Sequence, residues 1–259
     1  MKLYAYRALD YVQTASAVDR RYLLFTAVQK AKVGTEGVKV MALLSASIGA
    51  LGFRSETYFE MALRDAPLIP ILEGSAHVNL SLAAQFLHAY FGHFDHAIAA
   101  PPSLFAAQIA AEENPYLPQA DTSHLNNIRF PRFTKAYRPL LPIGNVRIFA
   151  GQAARFALFV RRLQIKNALL ADPETAIAFG NCLATITYAQ LIAENCILLK
   201  IDKHLISAIF HLLVQDLSTL ALSVAALPLL SDSQRAQIRR LIIAPQPRGA
   251  DWDFVAGEK

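Results

Sequence analysis

Apolar residues recur along the opening segment at Tyr4, Ala8, Tyr11, Ala15, Val18, Tyr22 and Phe25, in steps of four and three that put them on one face of a helix. The pattern predicts a long bundle helix ending near Gly34, after which Thr35 would cap a second helix with Gly37, Met41, Leu44, Ile48 and Leu51 along its seam. Ser55 reads as the next cap. The third helix would stop before Pro67, because the residue ahead of a proline avoids helical backbone. After an irregular stretch over 68–72, a fourth helix over 74–91 would turn Leu80, Ala83, Leu87 and Phe91 to one side.

Over 92–144 the character changes, with seven of the chain's 13 prolines at positions 101, 102, 115, 118, 131, 139 and 142. Phe105, Tyr116, Leu117, Phe130, Phe133 and Tyr137 are too apolar for a free tether. The expectation is an ordered belt over the surface, with a short helix over 103–113. Helical spacing returns at Val146, Phe149, Ala153, Phe156, Val160 and Leu163. Asp172 then caps and Pro173 opens a helix carrying Ile177, Ala184, Tyr188, Leu191 and Leu198. Another carries Ile206, Phe210, Leu213, Leu217, Leu220, Val224 and Leu227 and ends at Pro228, and Ser231-Asp232-Ser233-Gln234 is a capping box for a short last one with Ile238 and Ile242. No strand pattern of useful length appears. The fold expected is all-α: an up-and-down helical bundle over 1–91, a proline-rich wrapping linker over 92–144, a second helical bundle over 145–245 and a tail over 246–259.

Composition adds bounds. With 259 residues, 54% hydrophobic and 17% charged, the chain can bury a large core. A mean hydropathy of +0.30 raises the question of a membrane, but the apolar run over 217–230 has only 14 residues and contains Ser218, Thr219, Ser223 and Pro228. No transmembrane span is therefore expected, and Lys2, Arg7 and Asp10 argue against a signal peptide. The net charge of +5 comes from loose groups around Arg129 to Arg138, Arg161 to Lys166 and Arg235 to Arg240, without a nucleic-acid motif. They read as solvated helix faces, no nucleic acid is expected as a partner, and room remains for peripheral contact with an anionic membrane surface. Cys182 and Cys196 lie on one predicted helix about 21 Å apart, too far for a disulfide. They are expected to be thiols in a reducing, cytoplasmic compartment. His93 and His96 flank Asp95 without a further ligand pair, so no metal site is expected there.

One stretch, 49–80, holds unusual residues at spacings that packing alone does not require: GALGFRSETYFEMALRDAPLIPILEGSAHVNL. A helix runs into Gly49 and Gly52, Arg64 and Asp65 close the next, and Leu72-Glu73-Gly74-Ser75 opens another. Taken alone, Glu73 is a carboxylate favoured at a helix start by the macrodipole and by free N–H groups.

In order and spacing the run resembles the last third of the catalytic helical domain of acyl-CoA dehydrogenases. That family has a glycine-rich QxxGGxGF/Y turn, then RDA, then YEGT ahead of a helix. The counterparts here are Ala46-Ser47-Ile48-Gly49-Ala50-Leu51-Gly52-Phe53, Arg64-Asp65-Ala66 and Leu72-Glu73-Gly74-Ser75. The likeness covers roughly residues 3–91, with Ala46, Ala50, Leu72, Ser75 and Leu80 standing where the family has glutamine, glycine, tyrosine, threonine and arginine. It implies the C-terminal part of an FAD-dependent oxidoreductase that dehydrogenates an acyl thioester, carried on coenzyme A or a carrier protein, between its α and β carbons. Glu73 would be the base for the α proton and Gly74 would leave room for the thioester. Ser75 and His77 fall where family members touch FAD, and Gly49 with Ala50 where the turn approaches the cofactor of a neighbouring subunit. The second bundle is analogous to the extra helical domain of the very-long-chain branch. The family's N-terminal helical domain, β-domain and first catalytic helix have no counterpart in the chain, so the isolated chain is expected to be inactive and colourless. Tyr4, Tyr11, Tyr22 and Phe25 would then lie partly uncovered and drive homo-oligomerisation. The alternative is a non-enzymatic helical interaction module derived from that fold.

Overall fold

A computed structural model describes residues 1–72, 74–92, 94–95, 97–105, 113–117, 123–163, 170–247 and 249–257. Its elements are helical: α1 (Lys2–Gln13), α2 (Tyr22–Val28), α3 (Gly34–Ile48), α4 (Tyr58–Asp65), α5 (Ala76–Ala84), α6 (Leu87–Gly92), α7 (Thr134–Tyr137), α8 (Gly144–Leu163), α9 (Pro173–Leu198), α10 (Lys203–Ala226), α11 (Asp232–Arg239) and α12 (Gly249–Ala256). Among the described residues the sole β contact is an isolated bridge between Phe94 and Phe130.

The opening helix is broken where the periodicity runs on. Ser16 and Asp19 exchange main-chain hydrogen bonds, the Ser16 hydroxyl accepts the Asp19 N–H at 3.1 Å, and Asp19 turns to pair with Arg21. Such local bonds compete with the helix and leave Val18 97% exposed. Gly34, by contrast, ends nothing: α2 passes through a π turn at Gln29–Val33 straight into α3. Thr35 is not a cap either, because its hydroxyl donates back to the Ala31 carbonyl at 2.6 Å within the continuing helix.

The stripe of Tyr4, Tyr11, Tyr22 and Phe25 is buried within the chain, which overturns the expectation that it is uncovered. Tyr4 stacks on Tyr188 of α9 at 5.0 Å, and Tyr11 meets Phe25 edge-on at 4.5 Å. Helix α9 is the centre of the molecule, packed against α1, α2, α5, α7 and α10. Its start follows the sequence signal, since the Asp172 carboxylate accepts the Thr175 N–H at 2.8 Å and Pro173 occupies the first turn. One hydrophobic core runs from Tyr4 to Leu241, continuous across the proposed boundary between the two bundles.

Gly180 marks the closest approach of α9 and α5. A Cβ there would sit 2.2 Å from the Leu80 carbonyl oxygen and 2.9 Å from its carbon, both main-chain atoms that cannot turn aside. Helix propensity alone would make Gly180→Ala stabilising by about 1 kcal/mol. The contact is expected to win, with a net loss of about 1–3 kcal/mol as the helices are forced apart. The check is a lowered urea midpoint at unchanged m-value; a raised midpoint would refute the close crossing.

The expected fourth helix is two. After α5 the Gln85 and Phe86 N–H groups bond to Leu82 and Ala83, a tightened turn that swings Phe86 fully into the core before α6. Where it is described, the proline-rich segment is tied down as a belt. Asp10 accepts the Leu104 and Phe105 N–H groups at 2.8 and 3.0 Å, and the Asn114 amide donates to the Gln13 and Ala15 carbonyls, both at 2.9 Å. The short helix expected over 103–113 falls mostly outside the described residues. Helix α10 ends ahead of Pro228, and Ser231 with Gln234 forms the capping box of α11. The tail is not loose, because α12 docks on α10.

Both cysteines are buried free thiols, as expected, and burial pushes the Cys196 thiol up to about 12. Among the described residues three helices are long and apolar enough to cross a membrane: Tyr22–Phe53, Pro173–Leu198 and Lys203–Ala226. They qualify by length and composition alone; the sequence reading, which ended one helix near Gly34 and measured charge-free runs, found no run of that length. Pro173–Leu198 is almost wholly enclosed by the rest of the molecule, whereas in Tyr22–Phe53 the first turns are buried and the α3 part is largely uncovered.

Candidate functional site

The 49–80 stretch forms an arm and its return. Helix α3 leaves the body and stops at Gly49, whose φ of 62° and ψ of −140° suit a residue without a side chain. A 3-10 turn over Gly49–Phe53 follows, in which Gly52 lies under the Phe59 ring, with 3.1 Å between the ring and any added Cβ. Thr57, not Ser55, caps α4, its hydroxyl accepting the Glu60 N–H at 3.4 Å. Arg64 pairs with Asp65 at 3.2 Å on the surface. The chain then returns to the root of the arm, where Ile69 and Pro70 lie against Gly34 and the Pro70 carbonyl accepts the Ala76 N–H at 2.9 Å.

Ser75 opens α5 by accepting the Val78 N–H at 3.3 Å, as a cap should. Gly74 has a φ of 100°, and its carbonyl and that of Ser75 both accept from the Asn79 amide. His77 is exposed on the first turn of α5. Glu73 lies outside the described residues. Gly74, Ser75 and His77 therefore stand together at the root, whereas Gly49 and Ala50 stand at the far end of α3, about 20 Å away at helical rise.

The arm is apolar and bare. Leu44, Ile48 and Leu51, predicted as a buried seam, are exposed, and Leu43, Phe53 and Tyr58 are 68%, 68% and 78% exposed. Ile69, Ile71, Leu72 and Val78 extend the same surface to the root. An uncovered cluster of this kind marks a binding surface.

Beside His77 a cleft of about 310 Å³ opens between the root of α3, α5, α9 and α10. Lys32 bridges its walls, 2.7 Å from Asp216 and 3.2 Å from Glu36, and Lys39 lies 2.9 Å from Glu36. Burial opposes the Glu36 charge, but the two lysines outweigh it and hold its carboxyl below the ordinary value. The sequence carried the Lys32 and Glu36 half of this cluster as an i,i+4 pair; Asp216, 184 residues from Lys32, had no local signal.

A second polar centre is largely internal. Arg7 reaches Glu194 at 2.7 Å, Asp10 at 2.9 Å and the Pro101 carbonyl at 2.8 Å, and Tyr11 lies between the Arg7 and Arg21 guanidinium groups at 5.3 and 4.9 Å. It joins α1, α9 and the belt. Several basic residues of the loose groups are likewise engaged within the chain: Arg161 donates to the Phe91 carbonyl at 2.6 Å and Arg235 to the Leu230 carbonyl at 3.0 Å. Among the described residues no cluster of histidine, cysteine and carboxylate side chains could hold a metal; His93 and His96 are not among them.

No protein family, curated protein or solved structure was found to match the chain.

Proposed function

We propose that the chain supplies the helical part of a flavin-dependent enzyme that dehydrogenates an acyl thioester, with the bare arm as the surface completed by another polypeptide. The observation that carries this reading is a coincidence of position. The GALGF, RDA and LEGS runs on which the family resemblance rests lie within the stretch, from Leu43 to Val78, that carries the uncovered apolar surface, and Leu51, Phe53 and Leu72 of those runs are part of that surface. The 20 Å between Gly49 and Gly74 fits it as well, since the resemblance assigns the two ends to cofactors of different subunits.

The residues described fit one wall of a flavin site: a main chain held open at Gly74, the Ser75 and His77 side chains beside it, and the flat apolar surface of Ile71 and Leu72. FAD, when bound, would supply the acceptor for the hydride from the β carbon. Glu73 would take the α proton as the C–H bond breaks and the α,β double bond forms. Exclusion of water by the covered arm would raise the basicity of its carboxylate. An exposed apolar arm equally suits a helical interaction module without catalysis, the second reading, which the absence of a hydrogen-bonding side chain at Ala46 favours.

The two readings part on colour. The chain purified under conditions that strip partners is expected to be colourless. The complex isolated natively is expected to show flavin absorbance that bleaches on adding a long-chain acyl thioester. A native complex without flavin would retire the dehydrogenase reading.

A further inference from the structure

Along the arm and its root the basic side chains stand beside carboxylates: Lys32 and Lys39 beside Glu36, Arg54 3.4 Å from Glu56 and Arg64 3.2 Å from Asp65. Helix α8 is different. It carries Arg147, Arg155, Arg161 and Arg162 and no acidic residue, and α11, packed against it, adds Arg235, Arg239 and the following Arg240 to a single Asp232. Arg161 and Arg235 turn inward to main-chain carbonyls. Among the described residues no carboxylate forms an ion pair with Arg155, Arg162 or Arg240. Asp232 stands in the first turn of α11, about 12 Å along the helix from Arg240.

These three cations converge. Arg155 and Arg162 are seven residues apart on α8, two turns along one face. Arg155 Nη1 donates to the Arg240 carbonyl at 3.2 Å, which holds the end of α11 against that face. With Gln237, the three arginines line one open cleft whose apolar part is Leu158, 47% exposed, and the buried Phe159. Phe159 of α8 and Ile238 of α11 both belong to the core, so the main chain that carries the arginines is fixed from beneath. The bond to the carbonyl uses one N–H of the Arg155 guanidinium. The rest of that planar fork, and the forks of Arg162 and Arg240, have no carboxylate to meet.

We propose that this cleft binds the phosphate group of a phosphate monoester, held between Arg155, Arg162 and Arg240. Like charges gathered at one cleft repel each other, and an oxyanion placed among them turns that repulsion into attraction on every side. Guanidinium forks match the oxygens of both carboxylates and phosphates. Charge decides between the two. A phosphate monoester brings nearly two negative charges and three acceptor oxygens to the three cations, whereas a carboxylate, or the phosphodiester of a nucleic acid, brings a single charge. Leu158 at the rim and Phe159 beneath it give the organic part of the ester an apolar contact. The proposal uses neither Glu73 nor a flavin, so its test stands whichever way the dehydrogenase test falls.

Calorimetric titration of the full chain at constant ionic strength tests it, with phenyl phosphate, inorganic phosphate and benzoate as probes. Phenyl phosphate is expected to bind saturably, more tightly than inorganic phosphate and about tenfold more tightly than benzoate. Its affinity should fall from about pH 8 to about pH 5, because the ester loses its second charge near pH 6 while the arginine, glutamine and apolar side chains of the cleft do not titrate. Arg162→Ala and Arg240→Ala, both at exposed positions, should each weaken binding about tenfold and leave the thermal midpoint within a few degrees of the parent. Arg147→Ala, exposed on the same helix but outside the cleft, should leave binding unchanged. Sedimentation with phosphatidylcholine vesicles containing phosphatidate separates the sources of the group. Cosedimentation abolished by Arg162→Ala assigns the phosphate to a lipid head, and phenyl phosphate binding without cosedimentation assigns it to a soluble ester. No saturable heat with phenyl phosphate, equal affinity for benzoate, or a loss in Arg147→Ala as large as in Arg162→Ala would each overturn the proposal.

Discussion

If the chain is part of the proposed acyl thioester dehydrogenase, replacing Glu73 by glutamine in that assembly is expected to leave flavin content and acyl thioester binding near those of the parent while flavin reduction slows by about two to four orders of magnitude. The amide keeps the shape and most hydrogen bonding of the carboxylate but cannot take the α proton. Binding and chemistry therefore separate, which loss of folding would not produce. Were Glu73 merely a residue at a helix start, the same change would remove a charge–dipole attraction of about 1 kcal/mol at most and leave the reduction rate alone. Stopped-flow bleaching of the flavin at 450 nm or so by a long-chain acyl thioester, beside the thermal midpoint of each variant, reads both quantities. An unchanged bleaching rate would remove Glu73 from the chemistry.

How far such a site can be read from the chain varies with the kind of signal. Local chemistry was legible: Asp172 and Pro173 start α9, Pro228 follows the end of α10, and the Ser231 box opens α11, because each works through neighbours within a turn. The opening of a helix at the 72–75 run was legible in the same way, but the sequence reading starts it at Gly74, one residue ahead of the Ser75 cap. Periodicity was legible as helix but not as burial. The same spacing that hides Tyr4 and Tyr11 against α9 leaves Leu44, Ile48 and Leu51 bare, since a repeat records a face and not what meets it. The break after α1 escaped because Val18 and Tyr22 keep the rhythm while Ser16 and Asp19 turn the chain. Gly34 misled in the other direction, because a glycine ends a helix when the chain there needs a positive φ, and Gly34 keeps helical angles. The Lys32 and Asp216 pair and the Arg7 and Glu194 pair join residues 184 and 187 positions apart. Nothing short of the tertiary fold brings them together.

The internal ion cluster leads to the other large expected effect. Arg7→Met keeps the length and much of the volume of the side chain but removes the cation from between Asp10, which is fully buried, and Glu194, which is nearly so. Burial alone would disfavour the Arg7 charge; Glu194, Tyr11 and Asp10 together outweigh it and raise its pKa, so the charge belongs to the folded state. With the guanidinium gone, two carboxylates face each other across α1 and α9, and the Pro101 carbonyl loses its donor. The expected loss is about 3–5 kcal/mol, the usual consequence of stripping one partner from a buried pair. It exceeds the value of the pair itself, because most of it is the cost of the stranded charge. That origin can be tested. Adding Glu194→Gln to Arg7→Met removes the stranded carboxylate while keeping a group able to accept from Tyr11, so the double variant is expected to recover about 1–2 kcal/mol over Arg7→Met alone. Urea midpoints of the four proteins in the cycle measure the recovery, and a double variant less stable than Arg7→Met would mean that packing of the side-chain stem, not charge, is what Arg7 contributes.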